Sequence, residues 1–296
     1  MRMIIKLVKI FQNNRRRGKA RRFPFADVCR RRISVGIAVM NRSGIRVINC
    51  LRSLRNQTLP RENIDITVCD LGSDRVTTDE LKAVARDAAV RLVLVRTAKP
   101  VWSRSYGLNM AFRHSAQGSD VFLSTDIDAV YAPNALEQIM RMHLVCPGAT
   151  FAFCQPSDLP EGAYNMNIVD AFEHWKAVAV RARDPAVGFC QSFPTEWFCK
   201  IRGFDERFIG YGYEDADMEK RAARSGLWFA DVTPYTTILH QWHPWVLRNT
   251  ADMGMTREDS KKHLAENKQL VERECDVIRN TNGWGMVRGE TEVCEG

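Results

Sequence analysis

DVFLSTDIDAVYAPNALEQ, residues 120–138, runs from an apolar stretch straight into two aspartates, Asp126 and Asp128. The run 120–125 suits a buried strand. In an extended backbone alternate side chains point the same way, so both carboxylates address one point at the strand's end. Hard oxygen ligands there suit Mg²⁺ or Mn²⁺, ions that usually also hold substrate phosphates. Strand-end turns rich in Asp are common without any metal. What decides between these readings is the chain around the stretch.

Upstream, strand and helix patterns alternate. ISVGIAVM (33–40) is a β-rich run closed by a turn at Asn41–Gly44. IRVINCLRSLRNQ (45–57) has helical apolar spacing at Val47, Ile48, Leu51 and Leu54. IDITVCD (64–70) is a second strand, TTDELKAVARDAA (77–89) a helix opening on Thr-Thr-Asp-Glu, and RLVLV (91–95) a third strand. SRSYGLNMAFRHS (103–115) is a helix that carries the cost of Gly107. The order β-α-β-α-β-α-β predicts an α/β fold with an open, mostly parallel sheet flanked by helices. Ligands of such sheets bind beyond the carboxyl ends of the strands, which selects the loops 40–44, 70–74, 96–104 and 126–132.

Downstream the pattern is less regular. ATFAFCQ (149–155) and GLWFADV (226–232) read as strands, NIVDAFEHWKAVAV (167–180) as a helix, TTILHQWHPW (236–245) as a strand entering a turn, and DSKKHLAENKQLVEREC (259–275) as a charged outer helix. The expected organisation is a basic tail over 1–32, one domain over 33–247 with halves 33–135 and 136–247, and a helical extension over 248–296.

Charge is unevenly spread. The net +8 conceals twelve Lys/Arg against the single acid Asp27 in residues 1–32. That tail carries +11, so the rest of the chain carries −3. The tail reads either as a basic amphipathic segment on an anionic membrane surface or as a solubilising extension. With few aromatics it is a poor nucleic-acid element, and no nucleic acid is expected. MRMIIKLVKIF is too short and too interrupted to span a bilayer and lacks the marks of a signal peptide. Nine scattered cysteines without a CxxC read as reduced thiols of a cytoplasmic protein, with peripheral association at the inner membrane face left open.

Three further stretches can carry chemistry. Asp70 ends the second strand before Gly72 and Ser73; it suits either a turn-forming carboxylate or one that takes hydrogen bonds from a nucleotide base or ribose. His240 and His243 follow a strand and can add nitrogen to a metal held by aspartates, with His240 favoured because it directly ends the strand. GYGYEDADMEK (210–220) places Glu214, Asp215 and Asp217 in a helix's first turn, where the dipole favours acids. On that helix Glu214 and Asp217 share a face while Asp215 points elsewhere, into a cleft on the functional reading. Tyr211, raised between two glycines, suits an aromatic wall for a sugar ring.

Taken in order, VGIAVMNR, LRSLRNQTLP, ITVCDLGSD, SRSYGLNMA, STDIDAVYAPNALE, RGFDERFIGYGYEDADMEKR and LHQWHP resemble the inverting, family-2-like glycosyltransferases of GT-A fold. The C-terminal half looks like the galactosyltransferase and N-acetylgalactosaminyltransferase branch, which includes chondroitin-type synthases. The resemblance spans about residues 33–247. It implies a GT-A (Rossmann-like) sheet with a smaller acceptor-side subregion, a UDP-sugar donor, Mn²⁺ (or Mg²⁺), and a glycan or lipid-linked saccharide acceptor. It implies metal ligation by Asp126, Asp128 and His240 or His243. Nucleotide contacts are implied for Asn41, Arg42, Asp70 and Arg104, and for Asp126 against the diphosphate. Asp215 is implied as the catalytic base, with Glu214 on the acceptor and Tyr211 where the family usually has Trp. Leu71 replaces the second acid of the family's D-D-G-S pattern, and Ser105 replaces the Asn that usually follows Arg104. The rival expectations are a nucleotide-sugar-binding protein without catalysis and a metal-dependent nucleotidyltransferase. The first loop, MNRSG, fits the latter poorly.

Overall fold

A computed structural model describes residues 23–181, 187–243, 250–286 and 289–296. Residues 1–22 of the basic tail and 244–245 of the last expected strand lie outside the described residues. After a short helix α1 (Phe25–Val28), the chain builds β1 (Ile33–Val39), α2 (Ile45–Arg55), β2 (Ile64–Asp70), α3 (Arg75–Asp87), β3 (Arg91–Arg96), α4 (Arg104–His114) and β4 (Val121–Thr125). These are the expected units, within a few residues at each end. One start is corrected: α3 begins at Arg75, because Asp74 rather than the Thr pair accepts from the Thr77 N–H and caps it.

Then come β5 (Ala129–Tyr131), α5 (Ala135–Val145), β6 (Thr150–Phe153), β7 (Ser157–Asp158), α6 (Phe172–Val178), β8 (Val180–Arg181), β9 (Cys190–Pro194), α7 (Thr195–Lys200), α8 (Glu214–Arg224), β10 (Trp228–Asp231), β11 (Ile238–His240), α9 (Arg257–Arg273) and β12 (Glu290–Cys294). The main sheet has the order β10-β6-β9-β4-β1-β2-β3-β12. Its centre, β4-β1-β2-β3, is parallel, in the register Ile33↔Ile64, Ile33↔Val121 and Thr67↔Arg91. Strands β9 and β12 run antiparallel to their neighbours. The sheet is thus mostly parallel and lies between helices, as expected.

Every residue of β1 is buried, which is why it reads as an unbroken apolar run instead of an alternation. Helix α4 packs directly on it. A methyl at Gly107 would lie 2.7 Å from Ala38 Cβ, so the glycine that weakens the helix is what lets α4 approach the sheet. Strand β9 has no such signature. Gln191 and Ser192 are fully buried in it, and Ser192 Oγ lies 2.9 Å from His143 Nε2. Polar residues satisfied inside a core look like a loop in the sequence. On the β9 side Phe122, Phe193, Phe198 and Phe204 form a second core cluster. The extension after residue 248 is helical only in part, since β12 covers the edge of β3.

The parallel register brings the ends of β1, β2 and β4 to one edge, with Val39 beside Asp70 and Ile37 beside Thr125. A smaller sheet, β5-β11-β7-β8, stands next to that edge.

Candidate active site

The two aspartates of 126–128 take different partners. Strand β4 ends at Thr125 and β5 begins at Ala129, and the intervening residues form a turn in which the Ala129 N–H donates to the Asp126 carbonyl. The extended-chain expectation therefore fails here, because alternation holds only within a strand. Asp128 faces the small sheet. Its Oδ2 lies 3.2 Å from His243 Nε2 and 3.9 Å from His240 Nε2, and the two imidazole nitrogens are 3.4 Å apart. One ligand atom from each of the three residues falls within 4.8 Å of the others.

This group fits a divalent cation. Asp128 Oδ1 is buried with no hydrogen-bond partner, a costly state that a bound cation would relieve. His240 Nδ1 lies 2.9 Å from Asp158 Oδ1, which assigns the proton to Nδ1 and leaves Nε2 free to ligate. Burial alone would raise the Asp128 pKa, but the bond to His243 and the charge of His240 hold it at about 2. Both histidines join the group, not His240 alone. Asp158 is a site residue that sequence reasoning misses; only the pairing of β7 with β11 sets it opposite His240.

Asp126 is held by a different partner. Its Oδ1 accepts from Arg104 Nε at 2.7 Å, and it stands outside the three-residue group. Arg104 opens α4 behind the cap Ser103, and its side chain is nearly buried. Its Nη2 donates to the Gly188 carbonyl at 2.8 Å, while Nη1 lies 3.7 Å from Glu214 Oε1 without a hydrogen bond. Burial disfavours its charge, yet Asp126 and Glu214 outweigh burial and raise its pKa. Arg104 thus bridges the carboxyl edge of β4 and the first turn of α8.

At α8 the three acids separate, but not as helical spacing implied: Glu214 lies with Asp215 on the Arg104 side, and Asp217 alone lies behind. Asp217 pairs with Arg221 and Arg279, both at 3.3 Å and both buried, and fixes the helix from behind. Glu214 faces Arg104. Burial first, then the neighbouring Asp215, pushes the Glu214 pKa up to about 7 against the pull of Arg104. Asp215 lies against Gly188, where a methyl would come within 2.5 Å of Asp215 Cβ. Any larger residue at 188 would displace the carboxylate. Tyr211 is 52% exposed on the loop before the helix, and burial together with the charges of Glu214 and Asp215 raises its pKa. Asn267 of α9 holds this loop by donating to the carbonyls of Ile209 and Gly212.

The other expected nucleotide residues lie after β1 and β2. Asp70 is fully buried: Ser73 donates to its Oδ1 from both N–H and hydroxyl, and Arg96 Nη1 donates to its Oδ2 at 3.0 Å. The structure places it as the keystone of a turn, with its carboxylate already occupied by protein. Asn41 donates its own N–H to Ser73 Oγ, accepts from the Asp74 N–H and donates to the Asp252 carbonyl. Arg42 pairs with Asp252 at 2.8 Å. The turn 250–253 therefore meets the first loop, a contact the sequence does not announce.

Residues 34–165 match the family Glycosyl transferase family 2, and residues 181–243 match the N-terminal domain of galactosyltransferase. Neither match reaches half of the chain. The first matched segment holds Arg104, Asp126 and Asp128, and the second holds Gly188, Tyr211, Glu214, Asp215, His240 and His243. No curated protein matches the chain in sequence. Among solved structures, a mannosyltransferase from Pyrobaculum calidifontis in complex with GDP-Man and Mn²⁺ is similar at 16% identity and a TM-score of 0.53. The alignment covers 83% of this chain and 65% of the mannosyltransferase. S. aureus TarS 1–349 in complex with UDP is similar at 13% identity and a TM-score of 0.50, covering 81% of this chain and 71% of TarS 1–349. At these identities the likeness is one of fold, and the fold is that of GT-A glycosyltransferases. Among the described residues no helix is long and apolar enough to cross a membrane, and all nine cysteines are free thiols.

Proposed function

We propose that this chain moves a hexose or N-acetylhexosamine from a UDP-sugar to a hydroxyl of a glycan or glycolipid, inverting the anomeric centre. The observation that carries this reading is the Arg104 bridge. It joins Asp126, beside the Asp128–His240–His243 group, to Glu214, beside Asp215. Donor-side and acceptor-side chemistry then meet at one sheet edge.

Asp128, His240 and His243 are the residues that would hold the metal. Two imidazole nitrogens and one carboxylate suit Mn²⁺ better than Mg²⁺, which prefers oxygen ligands. The bound ion would offset the negative charge that grows on the departing nucleoside diphosphate. Asp215 would take the proton from the acceptor hydroxyl as its oxygen attacks the anomeric carbon from the face opposite the leaving group. Glu214, poised near pH 7, would hold the acceptor by donating or accepting a hydrogen bond. Exposed Tyr211 would pack on a sugar ring. A single displacement by the acceptor oxygen requires one base and no covalent intermediate.

The test is release of nucleotide from UDP-galactose, UDP-N-acetylgalactosamine, UDP-glucose and GDP-mannose, with and without Mn²⁺, by wild type and Asp128→Ala. Metal-dependent release from one UDP-sugar, lost in the variant, is expected. Release from GDP-mannose alone would overturn the UDP assignment. Absence of release together with absence of metal-dependent nucleotide binding in calorimetry would overturn the reading as a whole.

A further inference from the structure

On the donor reading proposed above, the nucleoside would lie over the loops after β1 and β2 and the sugar end near the group after β4. In the sheet, β1 stands between β4 and β2. The diphosphate must therefore pass over the end of β1, where the first turn of α2 stands. Arg46 belongs to that turn.

Arg46 is half-buried, and its guanidinium carbon lies 6.0 Å from the centre of the Tyr164 ring. Among the described residues no carboxylate pairs with it. Its neighbour Arg42 is already paired, to Asp252. The backbone of Arg46 is tied to the metal-type group: its carbonyl accepts from Gln241 Nε2 at 3.0 Å, and the Gln241 N–H donates to the Asp128 carbonyl at 3.0 Å. Asn49 Nδ2 donates to Gln241 Oε1 at 2.8 Å and locks that amide from the other side. Burial first, then Arg42, lowers the Arg46 pKa, against the pull of Asp128 and Asp252. A guanidinium carried on backbone held this firmly, drawn partly out of water and, among the described residues, without an ion pair, is prepared for an anion from outside the chain.

We propose that Arg46 receives the diphosphate of the nucleotide donor, between the nucleoside loops and the Asp128–His240–His243 group. The inference rests on the nucleotide-sugar reading and adds to it the cation that binds the leaving group. Arg42 would serve the nucleoside side, its charge already balanced by Asp252.

Calorimetric titration of the full chain in Mn²⁺ tests this, with UDP and GDP as probes and uridine and guanosine as nucleoside controls measured by competition. Wild type is compared with Arg46→Met and Arg46→Lys. The expected result is a loss of about 10- to 100-fold in diphosphate affinity for Arg46→Met. A smaller loss is expected for Arg46→Lys, with nucleoside and Mn²⁺ affinities unchanged in both. Equal diphosphate affinity in wild type and Arg46→Met would overturn the proposal, and would point to an anionic acceptor for Arg46. So would parallel losses for diphosphate and nucleoside, because Arg46 would then act through the fold. If wild type bound neither UDP nor GDP, the donor reading itself would fail and this inference with it, an outcome distinct from the other two.

Discussion

His240 and Asp158 sit opposite each other in the parallel pairing of β11 with β7, with His240 Nδ1 2.9 Å from Asp158 Oδ1. The carboxylate fixes the ring's tautomer and rotation, so Nε2 points at Asp128 and His243. Partners of this kind contribute to metal affinity without touching the metal. Asp158→Asn is expected to weaken Mn²⁺ binding about 10- to 100-fold, measured by titration of the free ion, while the unfolding midpoint stays near that of wild type. Unchanged Mn²⁺ affinity would count against the tautomer assignment.

Asp215→Asn keeps the shape of the proposed base and removes its ability to take a proton. Transfer to acceptor is expected to fall about 10²- to 10⁴-fold with nucleotide affinity unchanged. Near wild-type turnover would remove Asp215 from the role.

Gly188 contributes an absence of side chain. Its carbonyl accepts from Arg104, and its bare Cα admits Asp215. Gly188→Ala is expected to cut turnover at least about tenfold and to leave KM for the donor unchanged. In the Asp215→Asn background the same change should cost little more, because the group it displaces is already disabled. Additive losses in this double-mutant cycle would show that Gly188 acts elsewhere.

Glu214 links ionisation to stability. Its folded pKa, about 7, lies above the ordinary 4.5. Between these values the folded chain keeps a proton that the unfolded chain has released, so stability falls as pH rises from 4.5 to 7. Glu214→Gln abolishes that dependence. The variant should gain on wild type between pH 5 and pH 8 by up to roughly 3 kcal/mol, read from unfolding midpoints at the two pH values. A pH-independent difference would mean that Glu214 ionises as an ordinary surface glutamate.

Behind α8, Arg279 reaches both Asp205, at 3.2 Å, and Asp217, at 3.3 Å, and all three are buried. Arg279→Met takes one partner from each of two carboxylates that keep Arg207 and Arg221, and is expected to destabilise the fold by about 1.5–3 kcal/mol in urea unfolding. A loss below about 1 kcal/mol would place this network among surface pairs.

Much of the site's chemistry was legible because it is local. The strand–helix alternation of 33–125 and the helix over 214–224 follow from periodicities that one segment carries alone. Helical spacing put Glu214 and Asp217 on one face, but Glu214 turns to Arg104 beside Asp215 while Asp217 pairs behind the helix, because Glu214 heads the first turn and its partner comes from another segment. The joint direction assigned to Asp126 and Asp128 was wrong because it assumed strand geometry across a turn. Asp70 was open between a turn and a ligand contact, and only the positions of Ser73 and Arg96 show its carboxylate occupied.

By itself, then, the sequence determined the α/β class, the order of strands and helices over 33–125 and the residue types at the strand ends. Tertiary structure alone decided which of them meet. Arg104 lies 22 residues from Asp126 and 110 from Glu214 in the chain, yet one guanidinium reaches both. Asp158 is 82 residues from His240 and becomes its partner only through strand pairing. Local propensity depends on neighbours a few residues away, whereas ion pairs, tautomers and crowding at Gly188 depend on distances of a few ångströms between segments that only the packed core brings together.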